Sequence, residues 1–168
     1  MHRNLDCQIY FNSTDQTPPA LPCGEPVDVA ADPAAAHQLI KLGISPRHDL
    51  PAVLLREPGG KIRVAGLRLS SEEAGRLAAG AGFPPSRRRV YSSAWCPDCR
   101  RAKRVLEEAA VGYEEVDIDR DPRAEATVLE RSGGRRVVPT LLFDDRLWAF
   151  NPDPPLLRRL LAGRDTRS

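Results

Sequence analysis

The stretch that decides the fold reads RVYSSAWCPDCRRAKRVLEEA, from Arg89 to Ala109. The apolar residues near its start predict a short strand, and the two cysteines that follow, Cys96 and Cys99, stand at the start of a predicted helix. Pro97 suits the first position of a helix, where no backbone N–H is needed. Apolar positions that recur every three or four residues after Cys99 indicate a helix face packed on a core. The stretch therefore predicts a strand, a loop and a helix of an α/β fold.

The spacing of the two cysteines suits a bond that can open and close. Residues three apart on a helix have Cα atoms about 5 Å apart, which lies within the range of ~4.4–6.8 Å for disulfides. Cys96 stands at the helix N-terminus, where free backbone N–H groups and the helix dipole favour a thiolate. Cys99 lies one turn further on and faces the core, which suits a resolving thiol. We predict that Cys96 is the nucleophile and that Cys99 resolves the mixed disulfide.

The same pair could instead be half of a zinc site, completed by the other two cysteines, Cys7 and Cys23. These two are 16 residues apart and do not form a second close pair. A proline inside a cysteine pair that opens a helix also suits redox chemistry better than metal binding. We predict no metal site and no cofactor, with Cys7 as a small residue of a strand and Cys23 in a proline-rich loop.

Composition and charge restrict the function further. The chain has 168 residues, of which 41% are hydrophobic, 29% charged and 5% aromatic, and its formal net charge is +2. Few aromatics and a nearly balanced charge do not favour nucleic-acid binding, and no apolar run approaches the ~18 residues of a membrane-spanning helix. The first residues also lack the apolar run of a secretory signal. We expect a cytoplasmic protein that binds neither nucleic acid nor membranes.

Three landmarks occur twice along the chain in the same order. Each copy has an apolar pair that ends a strand, a Val-Asp step followed by Asp-Pro, and an apolar residue before a proline. The first copy lies at 9–10, 27–33 and 50–51, and the second at 90–91, 116–122 and 138–139. Asp-Pro predicts a helix start in both copies, because Asp caps helices and Pro fits their first position. A predicted hairpin and a closing helix follow each later proline.

The repeated order predicts an α/β fold of two thioredoxin-like lobes in tandem, each a small mixed sheet with flanking helices. We place the lobes at 1–83 and 87–168, with a linker at about 82–89. The interval between the first two landmarks is 18 residues from Ile9 to Val27, but 26 from Val90 to Val116. The shorter interval is rich in prolines, which disfavour a helix, so we expect the first lobe to lack the redox helix. The alternative is a chance likeness between short β/α units.

The second half resembles the glutaredoxins in two motifs, YSSAWCPDCRRAK at 91–103 and Val-Pro-Thr at 138–140. Gly133-Gly134 and Asn151-Pro152 bring it nearest to the mycoredoxin-type branch of that family. The resemblance implies a thioredoxin-type redox domain, a cis peptide bond before Pro139 and a substrate that pairs with the backbone beside it. By this resemblance the substrate-binding residues are Trp95, Pro97, Val138, Pro139, Thr140, Asn151 and Asp153.

Two positions depart from the glutaredoxins that use glutathione. Those members usually carry Lys three residues before the first cysteine and Tyr before the second, where this chain has Ser93 and Asp98. The departures favour another low-molecular-weight thiol or a protein disulfide as the substrate. Arg135 and Arg136 could attract a substrate carboxylate, or they could be solvated loop charges.

We accordingly predict a thiol-disulfide oxidoreductase that reduces protein or low-molecular-weight disulfides through Cys96 and Cys99. A thiol or a flavoprotein would then reduce the enzyme. Two other functions are compatible with the motif. One is an iron-sulfur or metal-binding module held through Cys96. The other is a redox-regulated interaction protein, in which the first lobe docks a partner.

Overall fold

The computed structural model describes residues 6–16, 25–78 and 85–162, which form a mixed α/β fold with an open sheet. The strands are Asp6–Phe11 (β1), Val27–Asp28 (β2), Ala52–Arg56 (β3), Ile62–Gly66 (β4), Arg88–Ser92 (β5), Glu114–Asp117 (β6), Thr140–Phe143 (β7) and Leu147–Phe150 (β8). The helices are Pro33–Lys41 (α1), Ser71–Ala78 (α2), Pro97–Glu108 (α3), Pro122–Arg131 (α4) and Pro154–Ala162 (α5). In these ranges, no helix has the length and apolar character needed to cross a membrane.

One eight-stranded sheet runs through the fold in the order β2-β1-β3-β4-β8-β7-β5-β6. In the first half, β1 pairs with β2 in parallel and with β3 antiparallel, and β3 continues antiparallel to β4. In the second half, β5, β6, β7 and β8 pair in the corresponding way. The two halves meet where β4 and β8 run antiparallel, with Val64 opposite Ala149. The sequence analysis expected a small sheet in each half, whereas the structure joins them into one sheet.

The two Asp-Pro steps start helices, as the sequence predicts. Asp32 caps α1 and Asp121 caps α4, and each carboxylate accepts backbone N–H groups of the first turn at 3.0 and 3.2 Å. A proline follows each cap inside the first turn. The Asp supplies the acceptor that the free N–H groups require, and the Pro fixes a helical φ. Local sequence alone therefore determines both helix starts.

The sheet is covered by helices on both faces. One face packs against α2, α3 and α5, through buried residues that include Leu77, Leu106 and Leu157. The other packs against α1 and α4, through residues that include Leu39 and Val128. Each of these two cores contains residues from both halves of the chain. Burial of apolar surface therefore holds the halves together as well as each half by itself.

Ion pairs also connect the two halves. Arg146 beside β8 bonds both carboxylate oxygens of Glu73 on α2, at 2.7 and 3.1 Å. Arg131 at the end of α4 lies 3.2 Å from the Asp49 carboxylate and donates to the carbonyl of Gly43 at 2.6 Å. Both pairs are largely shielded from solvent. They fix the approach of the helices to the opposite half on the two faces of the sheet.

The predictions for the proline-rich interval, for Cys23 and for the linker fall partly or wholly on residues outside the described ranges. The proline-rich interval is described only at residues 12–16 and 25–26, which are turn or irregular backbone, and Cys23 lies outside the described part. The predicted linker at about 82–89 overlaps β5, which begins at Arg88. The carboxylate of Asp144 accepts the N–H groups of Ser86 and Arg87 and so holds the end of this segment to the β7–β8 turn.

Candidate redox site

The two predicted redox cysteines lie together at the start of α3. Cys96 is the N-cap of the helix, and its sulfur accepts the N–H of Cys99 at 2.9 Å. The two are joined by a disulfide with Cα atoms 5.2 Å apart, close to the expected separation. Cys99 is completely buried, whereas Cys96 is partly exposed. The geometry thus gives one sulfur access to solvent and shields the other in the core.

The predicted cis-proline segment lies directly against Cys96. The Val138–Pro139 bond is cis, as the resemblance implies, and the Val138 carbonyl oxygen lies 3.7 Å from the Cys96 sulfur. Thr140 is buried and its hydroxyl donates to the Val137 carbonyl at 2.8 Å. The N–H of Asn151 donates to the Pro139 carbonyl at 2.8 Å. The second-half hairpin therefore holds the backbone that faces the redox pair.

The rim of the site is open to solvent. Trp95 immediately precedes Cys96 and is 88% exposed, which is unusual for a large apolar side chain. Pro97, in the first turn of α3, is also exposed. Both are therefore accessible to a molecule that approaches Cys96.

A cavity of about 230 Å³ lies beside α3 and is lined by Asp98, which stands between the two cysteines in the sequence. Two predicted residues line it, Asn151 and Asp153, together with Asp98 and Arg101 of α3. Asn151 has a positive φ of 42°, and its side-chain nitrogen lies 3.5 Å from an Asp98 oxygen. The structure thus places Val138 against Cys96 and places Asn151 and Asp153 at a cavity that Asp98 of the redox motif also lines.

Arg63, which no sequence motif marked as functional, also lines this cavity although it lies on β4 in the first half of the chain. A single arginine among the apolar residues of a predicted strand carries no short-range signal of function. Its proximity to Asp153 arises only through the pairing of β4 with β8. Asp98, which the sequence analysis treated only as a departure from the family, likewise gains its place in the cavity from tertiary contacts.

A second polar network lies under the loop before Cys96. The Ser93 hydroxyl donates to the Asp119 carboxylate at 2.6 Å, and Arg136 forms ion pairs with Asp119 and Glu125. The Ser93 hydrogen bond, reinforced by Arg136, holds the pKa of Asp119 below its usual value. Because its guanidinium is already paired with two carboxylates, Arg136 ties the loop to α4 in this structure. The expectation that it attracts a substrate carboxylate has no support in the geometry.

The remaining cysteine in the described part, Cys7, is buried in β1, where the sequence predicts a small strand residue, and it is also disulfide-bonded. In the described ranges, no three His, Cys, Asp or Glu side chains are grouped closely enough to hold a metal ion.

A cysteine that caps a helix, a second cysteine one turn later and a cis-proline beside them are typical of thiol-disulfide redox proteins with a thioredoxin-type site. The chain belongs to the glutaredoxin family, whose sequence profile matches residues 89–148. Glutaredoxins are thiol-disulfide redox proteins, and this is the general activity that membership implies. The predicted resemblance over the second half is thereby confirmed.

Individual relatives match the same region. Mycoredoxin 1 of Corynebacterium glutamicum is 35% identical over 63 residues, which are 38% of this chain and 77% of that protein. A glutaredoxin of Pseudomonas aeruginosa is 38% identical over 48 residues, 29% of this chain and 57% of that protein. Among solved structures, the glutaredoxin-like NrdH-redoxin from Escherichia coli is similar with a TM-score of 0.38 and 28% identity, over 44% of this chain and 93% of that one.

Proposed function

We propose that the protein is a dithiol oxidoreductase that reduces disulfides of proteins or low-molecular-weight thiols through Cys96 and Cys99. The observation that carries the proposal is the bonded Cys96–Cys99 pair at the α3 N-terminus, with the partly exposed sulfur facing the cis-proline backbone. Family membership supports the general chemistry. The order of the two cysteines in the mechanism follows from their unequal exposure.

The proposed reaction transfers two electrons in two exchange steps. The Cys96 thiolate attacks one sulfur of the substrate disulfide, the substrate S–S bond breaks, and the leaving thiolate takes a proton from solvent. The Cys99 thiol then loses its proton and attacks the Cys96 sulfur, which releases the second substrate thiolate and forms the Cys96–Cys99 disulfide. The substrate is reduced and the protein is oxidised. An external dithiol or a flavoprotein reductant must return the two electrons for turnover.

The α3 N-terminus stabilises the attacking species. The N–H of Cys99 points at the Cys96 sulfur at 2.9 Å, and a charge-assisted hydrogen bond from this N–H favours a thiolate over a thiol. The helix dipole acts in the same direction. In this proposal, the backbone N–H of Cys99 and the helix dipole stabilise the Cys96 thiolate, and no neighbouring side chain is needed as a base.

We assign substrate contacts to two sides of the site. Val138, Pro139 and Thr140 would present backbone groups to an extended substrate segment, while Trp95 and Pro97 would form an apolar rim. Asn151 and Asp153 would contact the thiol substrate from the cavity. The partly exposed sulfur, the 3.7 Å approach of the Val138 carbonyl and the position of the cavity support this assignment.

We also propose that the chain consists of two thioredoxin-like lobes, at 1–83 and 87–168, of which only the second carries a dithiol. The matching strand pairing in the two halves supports this division. So does the position of Leu50-Pro51, which precedes β3 in the first half as Val138-Pro139 precedes β7 in the second. A cytoplasmic location remains a prediction from the sequence.

A single-turnover experiment tests the proposed function. The full chain is reduced, freed of reductant and mixed with a model disulfide, and the released thiol is counted. Because reduction can also open the disulfide of Cys7, thiol release is counted relative to Cys96→Ser. Wild type should release two more thiols per protein than Cys96→Ser and regain the Cys96–Cys99 disulfide. Cys99→Ser should release one more and remain as a mixed disulfide on Cys96 visible by mass spectrometry. Thiol release by Cys96→Ser, at the wild-type rate, would contradict the assignment of the nucleophile.

A matched control uses a cysteine outside the pair. Cys7→Ser should leave the Cys96-dependent thiol release unchanged, because Cys7 lies in β1 of the first half and its disulfide is separate from the Cys96–Cys99 pair. Adduct trapped on Cys99→Ser in a cell extract would then identify the physiological substrate. Recovery of a small-thiol adduct or of a protein adduct would distinguish the two substrate classes.

A further inference from the structure

The backbone of β4 is irregular at the point where it meets the redox half. Leu55 of β3 is paired with Val64, but the next residue, Arg56, is paired with Ile62. Arg63 is therefore an extra residue, and β4 has a β-bulge there. Bulges redirect side chains and are common beside functional sites. Here the bulge directs Arg63 out of the regular alternation of the strand.

The bulge sends Arg63 to the face of the sheet that carries the redox helix. Ile62 packs in the core beneath α1 and α4, whereas Val64 packs in the core beneath α3 and α5. Arg63 lines the cavity with Ala102 of α3 and Leu157 of α5. It therefore shares the face of Val64, and the first half of the chain places an arginine in a cavity formed otherwise by the redox half.

Two contacts hold this arginine in place. Its Nε lies 2.9 Å from the Glu57 carboxylate, and its Nη1 donates to the Phe150 carbonyl at 3.2 Å. Phe150 precedes Asn151, whose N–H bonds the carbonyl of the cis-proline Pro139. In the described part of the chain, these contacts leave the Nη2 group of Arg63 without a hydrogen-bond or ion-pair partner. The residue is only 8% exposed, so its position is fixed. Glu57 offsets part of its charge through Nε, and the Nη2 group remains for a further acceptor.

The other polar groups of the cavity are already paired. Asp98 forms an ion pair with Arg101 at 3.0 Å, and Asp153 accepts the N–H of Leu156 at 2.9 Å. The N-terminus of α5 offers no alternative donor. Its first two residues are Pro154 and Pro155, which have no N–H, and the N–H of Leu157 bonds Asp153. The Nη2 group of Arg63, on a side chain that is otherwise buried, is thus a donor that remains for a bound molecule.

We propose that Arg63 is a substrate-binding residue that the first half of the chain supplies to the redox site, and that it binds a carboxylate of the thiol held in mixed disulfide with Cys96. A carboxylate is the group whose geometry and charge best match a guanidinium. Arg101 is more exposed, so solvent screens its charge and it contributes less selectivity. This inference rests on the proposed dithiol function and specifies its substrate class.

The test compares two probe disulfides of equal length, bis(2-carboxyethyl) disulfide and bis(3-hydroxypropyl) disulfide. The pre-reduced full chain is mixed with each probe, and the second-order rate constant for thiol release is measured. A small dithiol such as dithiothreitol gives the reference ratio of the two rate constants. The carboxylate-to-hydroxyl ratio of the wild-type protein should be larger than this reference. Arg63→Gln should lower the carboxylate-to-hydroxyl ratio by about tenfold, the loss expected for one charge-assisted hydrogen bond. The rate with the hydroxyl probe should change little.

Two further variants separate binding from structure. Arg63→Lys keeps the charge but loses the planar donor pair, so its ratio should lie between those of wild type and Arg63→Gln, about threefold below wild type. If Arg63→Gln does not fold, the ratio measured for Arg63→Lys tests the inference by itself. Glu73→Gln removes the ion pair with Arg146 between the halves, away from the cavity, and should leave the ratio unchanged.

A ratio in Arg63→Gln and Arg63→Lys equal to that of wild type would overturn the inference, as would the same loss of ratio in Glu73→Gln. Failure of the proposed function is a different result. It would appear as thiol release that does not depend on Cys96 with either probe. The role of Arg63 and the dithiol mechanism can therefore be refuted separately.

Discussion

Substitution of Arg131 by Met tests whether the two halves of the chain unfold as one unit. Arg131 ends α4 in the redox half, yet its guanidinium bonds the Asp49 carboxylate and the Gly43 carbonyl of the first half, at 3.2 and 2.6 Å. It also lies 5.7 Å from the centre of the Trp148 ring. Met retains the apolar stem that packs beneath the guanidinium and has a similar helix propensity. The substitution therefore removes these polar contacts of Arg131 with the first half and little else.

The expected loss follows from these contacts. A hydrogen bond to a charged group contributes ~1.5–3 kcal/mol, and a cation–π contact adds about 0.5–1 kcal/mol. After the substitution, the Asp49 carboxylate still accepts the N–H of Ser45 at 2.8 Å. This bond offsets part of the cost of burying the carboxylate. The Arg131 side chain is 25% exposed, which reduces the contribution through screening. We expect Arg131→Met to lower the free energy of unfolding by about 2–3 kcal/mol.

Urea denaturation followed by Trp fluorescence and by far-UV circular dichroism measures this loss. The two signals should give the same midpoint before and after the substitution, because the cores of the fold contain residues of both halves. Arg76→Met is the control, since it removes an exposed ion pair within α2 and should cost less than about 0.5 kcal/mol. A loss for Arg131→Met no larger than that of the control, or separate transitions for the two signals, would refute this account.

Two other substitutions give sharp expectations. Gly43→Ala should destabilise the fold by more than about 2 kcal/mol in a thermal or urea melt, because Gly43 has a φ of +70° and a Cβ there would lie 2.4 Å from the backbone oxygen of Glu130. Gly60 also has a positive φ but has open space around it, so Gly60→Ala should cost about 1 kcal/mol. An equal cost for the two substitutions would contradict the close approach at Gly43. Asp119→Asn should lower stability at pH 7, and because the bond from Ser93 lowers the pKa of the folded carboxylate, the difference from wild type should disappear as the pH falls below about 4. A difference that stays constant from pH 7 to pH 3 would show that the Asp119 charge does not stabilise the loop.

The features that the sequence predicts are those determined over a few residues. Asp121-Pro122 and Asp32-Pro33 start helices because the cap and the first turn lie side by side in the chain. Cys96 and Cys99 fall one turn apart for the same reason, so their separation follows from helix geometry. Each landmark needs only neighbouring residues to act, and each appears in the structure where the sequence places it.

The repeat predicts the order of elements but not their assembly. The sequence contains no signal that β4 and β8 pair, because both strands read as ordinary apolar strands and either could have remained an edge. Their pairing instead depends on the shape and burial of two cores that extend across both halves. For the same reason, Arg63 and Asp153 could not be placed together from residues 90 positions apart in sequence.

The sequence by itself therefore determined the reactive pair, the helix that carries it and the membership of the glutaredoxin family, since these depend on short motifs and local backbone preferences. Only the tertiary structure decided what surrounds that pair. The continuous sheet, the bulge at Arg63 and the cavity beside α3 arise from strand pairing and side-chain packing between distant segments. Such contacts are selected by the free energy of the whole fold, and no single stretch of the chain encodes them.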